Sequence, residues 1–177
     1  MSNARRADWQ AMRNVEAKFP LTDIAAARRR AEAIGFEYIG TLVQHDTFFV
    51  VSNGKLKLRQ DPDGACLIHY RRHRELGLEL SNYEIIAVSE PHKLRELLSA
   101  ALGEIGEVDK RRILLRRANV RLHLDEVVNH GVFGELEAVV EAGDDPANSR
   151  AEIATILAAL EIPSDRLIDV SYFELPR

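Results

Sequence analysis

The chain predicts an α+β fold built on a largely antiparallel sheet, and three observations carry that expectation. Five separate segments alternate charged and apolar residues at the two-residue period of a strand. Short turn signals, rather than crossover helices, separate most of the strand patterns. Only three stretches show helical spacing, and each carries its own start and stop signals.

Taken in order, the first strand is expected near 12–19, where Asn14-Val15-Glu16-Ala17-Lys18-Phe19 alternates cleanly. A helix from Thr22 to Ile34 follows, with Thr22 as N-cap and Gly35 as its stop. Strands are expected near 38–43, 45–51, 55–60, 66–73 and 82–88, the third of these carrying Lys55-Leu56-Lys57-Leu58-Arg59. Asn53-Gly54 and Asp61-Pro62-Asp63-Gly64 mark the turns between them. A second helix follows Ser89, with Pro91 in its first turn, Leu94, Leu97, Leu98 and Leu102 at helical spacing, and Gly103 as the stop. Strands near 107–116, 120–128 and 132–141 then form a meander turned by Asn129-His130-Gly131. The third helix is expected to open on the capping box Ser149-Arg150-Ala151-Glu152 and to bury Ile153, Ile156, Leu157 and Leu160. A short helical turn after Pro163 completes the chain.

Composition narrows the function classes. The 177 residues suffice for one domain with a real core. A net charge of −4 argues against binding nucleic acid through a broadly basic surface, so any anion site must be local. No apolar run approaches the roughly 20 residues that span a bilayer, and the N-terminal stretch lacks a signal-peptide apolar core, so no membrane partner is expected. Cys66 is the single cysteine, which precludes an intrachain disulfide and suits a reducing, cytoplasmic setting. Nothing in the sequence establishes a homodimer, although one is compatible with it.

A plain sheet with one wet face explains alternation on any single strand. Here the charges are also sorted by sign. Carboxylates stand at Glu16, Asp125, Glu135 and Glu137, and cations at Lys57, Arg59, Lys110 and Arg112. If those faces converge, the cost of enclosing them calls for a compensating ligand. Mg²⁺ or Mn²⁺ prefers carboxylate oxygens and shares its coordination with phosphates, while Lys and Arg neutralise the remaining phosphate oxygens. The six histidines show no zinc spacing, and His123 reads as a hydrogen-bonding wall residue more readily than as a ligand. Ser52-Asn53-Gly54-Lys55 is a hairpin turn, not a phosphate loop, and Arg28-Arg29-Arg30 is a solvated helix face. Cys66 reads as a small buried strand residue, and Trp9 and Tyr172 as packing residues.

These residues resemble the CYTH superfamily, the triphosphate tunnel enzymes. Glu16-Ala17-Lys18 looks like the second half of its Glu-x-Glu-x-Lys signature. The likeness continues in order through Gln44–Phe49, Gly54–Arg59, Leu67–Arg72, Ser81-Asn82-Tyr83, Val108–Arg112, Arg121–Val127 and Gly131–Glu137. It is greatest to the bacterial class IV adenylate cyclase-like branch. The resemblance implies a single domain over 5–177, with a closed eight-stranded antiparallel barrel and helices packed outside. It implies Mg²⁺ or Mn²⁺ on Glu16, Glu135 and Glu137, with Asp125 as a further ligand or water-orienting group. Lys18, Lys57, Arg59, Arg72, Lys110, Arg112 and Arg121 become the phosphate cradle, and Glu16, Lys18 and Asp125 the residues nearest the chemistry. Arg71 competes with Arg72 for the inward position, and the family pattern favours Arg72. The implied substrate is a small-molecule triphosphate. ATP cyclisation to cyclic AMP and pyrophosphate leads, hydrolysis of tripolyphosphate or thiamine triphosphate is the alternative, and a non-catalytic triphosphate sensor is a third. The sequence departs from the family at Asn14, where the first glutamate is expected; the exchange removes one negative charge from the acidic cluster.

Overall fold

The computed structural model describes residues 12–75 and 78–175; Trp9 lies outside them. Eight antiparallel strands close into one barrel in the order β1-β5-β4-β3-β2-β6-β7-β8. They are β1 (Met12–Pro20), β2 (Glu37–Phe49), β3 (Lys55–Asp61), β4 (Gly64–Glu75), β5 (Leu78–Ala87), β6 (Glu104–Arg117), β7 (Val120–Val127) and β8 (Gly131–Val140). Helices α1 (Ile24–Ala33), α2 (Pro91–Leu102) and α3 (Pro146–Ala159) pack outside, and short 3₁₀ turns follow at Ser164–Arg166 and Tyr172–Glu174. The α+β class and the closed eight-stranded sheet are as expected.

Several boundaries differ, each for a physical reason. The segments expected near 38–43 and 45–51 are one strand, because the ladder with β6 runs on through Gln44↔Lys110. β5 begins at Leu78 rather than near 82, since Leu78 and Glu79 already pair with the end of β4. Asp23, not Thr22, caps α1, accepting from the Ala26 amide at 3.0 Å. Asp145 caps α3 by accepting from the Ala147 amide at 2.9 Å. Pro146 supplies a preset first-turn φ there, so Ser149 lies inside the helix instead of opening it.

The barrel is apolar outside and polar inside. On β1, Val15, Ala17 and Phe19 join the main apolar core, and Asn14, Glu16 and Lys18 line the interior cavity; all six are buried. The core continues with Ala31 and Phe36, with Leu115, Leu122 and Leu136 on the strands, and with Ile153, Ile156 and Leu157 of α3. At about 1.5–3 kcal/mol for each large side chain buried, this outer layer is the main stabilising term. By contrast, α2 buries no residue fully, and its Leu97 is 64% exposed. Among the described residues no helix is long and apolar enough to cross a membrane.

The two ends of the barrel are unlike. Where β1 finishes, the chain after α3 crosses the opening. The Ile168 amide donates to the Lys18 carbonyl at 2.9 Å, and the rings of Phe173 and Tyr172 pack on Phe48 and Phe133 with centroids 4.4 and 5.1 Å apart. At the end where β1 begins, Met12, Leu42, Ile85 and Leu114 form an apolar rim to the interior cavity.

Close approach is required at Gly134, where an added Cβ would overlap the ring of the fully buried Phe19. Gly134→Ala is expected to destabilise the fold by about 1–3 kcal/mol, measured by chemical denaturation; an unchanged midpoint would contradict this packing.

Candidate active site in the barrel interior

Register brings the charged residues together. Directly opposed residues of an antiparallel pair share a face. Glu137 of β8 is therefore flanked by Glu16 of β1 and Arg121 of β7, and Glu16 is opposed on its other side by Glu79 of β5. One step along, Lys18, Glu135 and His123 form a second row. On the far side of the barrel, Asp46 opposes Arg59, Phe48 opposes Lys57, and Gln44 opposes Lys110. The interior thus has an acidic wall on β8 and β1 and a basic wall on β3, β2 and β6. Between them lies a cavity of about 310 Å³, within the usual size range of small-molecule sites.

Asp46, 1% exposed, organises the basic wall. Arg59 donates to both of its oxygens at 2.7 and 2.8 Å, Lys110 donates at 2.8 Å and Lys57 at 3.2 Å. Burial works against the Asp46 charge, but Lys110, Lys57 and Arg59 overcome it and hold the carboxyl well below its usual range. One carboxylate does not satisfy three cations. Burial first, then repulsion from Arg59, pulls Lys57 down to about 7, and burial brings Lys110 down to about 8. Arg112 donates to Asp125 at 2.7 and 2.6 Å and to Glu135 at 3.1 Å, joining the two walls.

The acidic wall is held by cations at its margins. Arg72 lies 3.0 Å from Glu16 and 3.1 Å from Glu79, Lys18 3.4 Å from Glu135, and Arg121 2.9 Å from Glu137. Burial pushes the Glu16 carboxyl up to about 7; Arg72 opposes this, and Glu137 and Glu135 add repulsion. Burial also works against the Glu135 charge, but Lys18, the neighbouring His123 imidazole and Arg112 keep that carboxyl well below its usual range. Four buried atoms on this wall and its margins lack a hydrogen bond, among them the Nε atoms of Arg72 and Arg121. Glu16 Oε2 sits near Arg72 but off its hydrogen-bonding direction, and His123 Nδ1 stands 3.6 Å from both Glu135 and Glu137, too far for a hydrogen bond. Carboxylates converging on orphaned buried donor atoms form a donor set that fits a divalent cation.

Every residue singled out from the sequence lines this cavity except Asp125. Asp125 stands behind the wall, with its oxygens taken by Arg112 and by the Tyr172 hydroxyl at 2.9 Å. Arg72 points inward and Arg71 is exposed, which resolves their competition. Asn14 is buried. With its amide oriented so that Nδ2 donates to the Arg13 carbonyl at 2.9 Å, Oδ1 accepts from Arg121 at 3.1 Å; this satisfies both ends better than a 3.5 Å contact to Glu137. Cys66 is half-buried rather than buried, opposite Arg59. Arg29 and Arg30 are exposed on α1, as a solvated face should be. Asp46 and Glu79 were not singled out from the sequence, although both fall on the inward parity of their strands. Tyr172 packs, as expected, and also holds Asp125.

The cavity lining carries seven cations against four carboxylates, a formal excess of three positive charges, in a chain whose net charge is −4. A closed antiparallel barrel with this interior and with helices outside belongs to the tunnel class of α+β proteins. The chain is a member of the CYTH family, whose domain matches residues 12–172. A Methanocaldococcus jannaschii protein named as a candidate adenylate cyclase is 26% identical over 176 residues, covering 93% of this chain and 98% of that protein. A Pyrococcus horikoshii protein superposes with TM-score 0.83 at 21% identity, covering 93% of this chain and 99% of its own. A Hippeastrum protein, named as a candidate adenylyl cyclase with a dominant triphosphatase activity, superposes with TM-score 0.64 at 16% identity over 92% and 93% of the two chains.

An anion seated on the basic wall would favour the charged forms of Lys57 and Lys110. Binding of sulfate, which has no titratable proton in this range, should therefore take up protons at pH 8, and the uptake should vanish below about pH 6, where both lysines are already charged in the free protein. Calorimetry in buffers of different ionisation enthalpy measures this, and a buffer-independent enthalpy at pH 8 would contradict it.

Proposed function

We propose that this chain is a divalent-metal-dependent enzyme acting on a triphosphate-bearing small molecule. The observation that carries the reading is the separation of charge across one enclosed cavity, cations in excess on one wall and carboxylates on the other. Arg59 and Arg112, with one edge of each guanidinium held by Asp46 and Asp125, would turn their remaining N–H groups to phosphate oxygens, and Lys57 and Lys110 act as point charges between them. Being already positioned around Asp46 and Asp125, these groups need little reorganisation as charge builds on a leaving phosphate. Glu16, Glu135 and Glu137 would hold the metal, Mg²⁺ or Mn²⁺, which when bound would supply Lewis-acid stabilisation at a phosphoryl oxygen. Asp125 keeps Arg112 in place.

An organic substituent on the triphosphate is supported by the apolar rim of Met12, Leu42, Ile85 and Leu114, with Tyr83 beside it. The phosphates then point inward and the substituent rests at the rim. For ATP this arrangement suits attack of the ribose 3′-hydroxyl on the α-phosphate, giving cyclic AMP and pyrophosphate. The similarity to the Methanocaldococcus protein supports this class IV cyclase-like reading. The second reading is hydrolysis, with water attacking the terminal phosphate of tripolyphosphate, thiamine triphosphate or a nucleotide. The same cation wall would stabilise that leaving group, and the fold shared with the Hippeastrum protein supports it.

Incubation with ATP, tripolyphosphate and thiamine triphosphate, each with Mg²⁺ or Mn²⁺, separates these readings. Cyclic AMP with pyrophosphate is the expected product, and orthophosphate selects the hydrolase. Lys110→Ala should lower kcat/KM about 10²–10³-fold. Tight binding without turnover under every condition would overturn the enzyme reading in favour of a sensor.

A further inference from the structure

We propose that His123 is a ligand of the divalent metal. It adds one nitrogen to the carboxylates of Glu135, Glu137 and Glu16, and the mixed centre takes Mn²⁺ or Co²⁺ in preference to Mg²⁺. The inference rests on the metal-dependent reading above and names the ligand set of that site.

Backbone register places the imidazole there. His123 of β7 directly opposes Glu135 of β8, and Glu137 is the next residue inward-facing on the same strand. One ligand atom from each of the three lies within 4.8 Å of the others. His123 Nδ1 is 3.6 Å from Glu135 Oε2 and 3.6 Å from Glu137 Oε1. That separation is too long for a hydrogen bond. It is close to the roughly 3.0–3.6 Å that separates neighbouring ligand atoms when bonds to a central ion are about 2.0–2.2 Å.

The unpaired nitrogen is the independent sign. The His123 side chain is 7% exposed, and its Nδ1 has no hydrogen-bond partner. A wall histidine serving only to brace the carboxylates would sit within about 3.2 Å of one of them. Here the imidazole stands 3.6 Å from both carboxylates, at ion-pair distance, and hydrogen-bonds neither.

Asn14 sharpens the assignment. It offers a neutral amide oxygen on β1 beside Glu16, yet its amide is engaged by Arg121 and by the Arg13 carbonyl. The cluster therefore gains its extra donor from β7, and that donor is nitrogen. The positive groups now beside the carboxylates, Lys18 and Arg112 on Glu135 and Arg121 on Glu137, are the ones an incoming ion would displace. They line the same cavity and remain available to phosphate oxygens. Imidazole suits later first-row ions such as Co²⁺; Mn²⁺, though mainly an oxygen-seeking ion, gains more from a nitrogen donor than Mg²⁺, which favours an all-oxygen shell that keeps several waters.

The test uses Mn²⁺ alone with the full chain, without nucleotide. Pulsed electron paramagnetic resonance of the bound ion should show ¹⁴N modulation from a directly coordinated imidazole. Labelling histidine with ¹⁵N should convert that signal. Among the described residues, His123 is the histidine that lines the cavity. His123→Gln should abolish the modulation and lower Mn²⁺ affinity about 10–100-fold, with Mg²⁺ affinity changing much less. The wild-type spectrum decides the matter even if the variant folds poorly. Bound Mn²⁺ with no ¹⁴N modulation would overturn the role of His123 and leave a carboxylate metal site standing. No Mn²⁺ binding at millimolar concentration would overturn both this inference and the metal-dependent part of the proposed function.

Discussion

Charge enclosed by a closed sheet must be answered by other charge, and Asp46 is where this requirement is most severe. Its carboxylate lies at the centre of Arg59, Lys110 and Lys57, all inside the barrel. Removing one member of a buried ionic group typically costs about 3–5 kcal/mol, because the remaining charge is left without water or partner. The interior tolerates an excess of cations because burial weakens the hold of Lys57 and Lys110 on their protons, an arrangement that suits an incoming anion. The outer apolar layer of Val15, Phe19, Leu122, Leu136 and Ile153 provides the stability that makes this interior tolerable. Fold and site are opposite faces of the same strands, since the two-residue period that sends Val15 outward sends Glu16 inward.

The barrel also gives the site direction. The segment through Tyr172 and Phe173 closes one end and ties Asp125, and through it Arg112, to the C-terminal chain. The other end has an apolar rim. A ligand entering there with its charged portion foremost meets both walls, and its less polar portion stays at the opening. On the proposed function, the same asymmetry would admit a nucleotide or a smaller organic triphosphate, and the product would depend on which phosphorus faces the nucleophile.

Much of this was legible in the sequence because alternation survives wherever a strand has one charged and one apolar face. Glu16, Lys57, Arg59, Arg121, Glu135 and Glu137 all belong to such segments, and the family resemblance placed them in one tunnel. Asp46 was not legible, because the run Asp46-Thr47-Phe48-Phe49 is buried on both faces and the binary pattern disappears. Glu79 was missed with the first residues of β5, although Leu78-Glu79-Leu80 does alternate. Tyr172 lies in an irregular closing segment with no period to betray its contact with Asp125. Helix starts misled where two capping residues compete: Asp23 prevailed over Thr22, and Asp145 with Pro146 over Ser149. The orphaned nitrogen of His123 is a matter of ångströms across β7 and β8, which no linear spacing reveals.

Diffraction from crystals grown with Mn²⁺ and tripolyphosphate is the most direct measurement. An anomalous peak among Glu16, Glu135, Glu137 and His123, with phosphate oxygens within about 3.2 Å of Lys57, Arg59 and Lys110, is the expected result. Metal or phosphate bound only outside the barrel, with the interior ion pairs unchanged, would contradict the assignment of the barrel interior as the site.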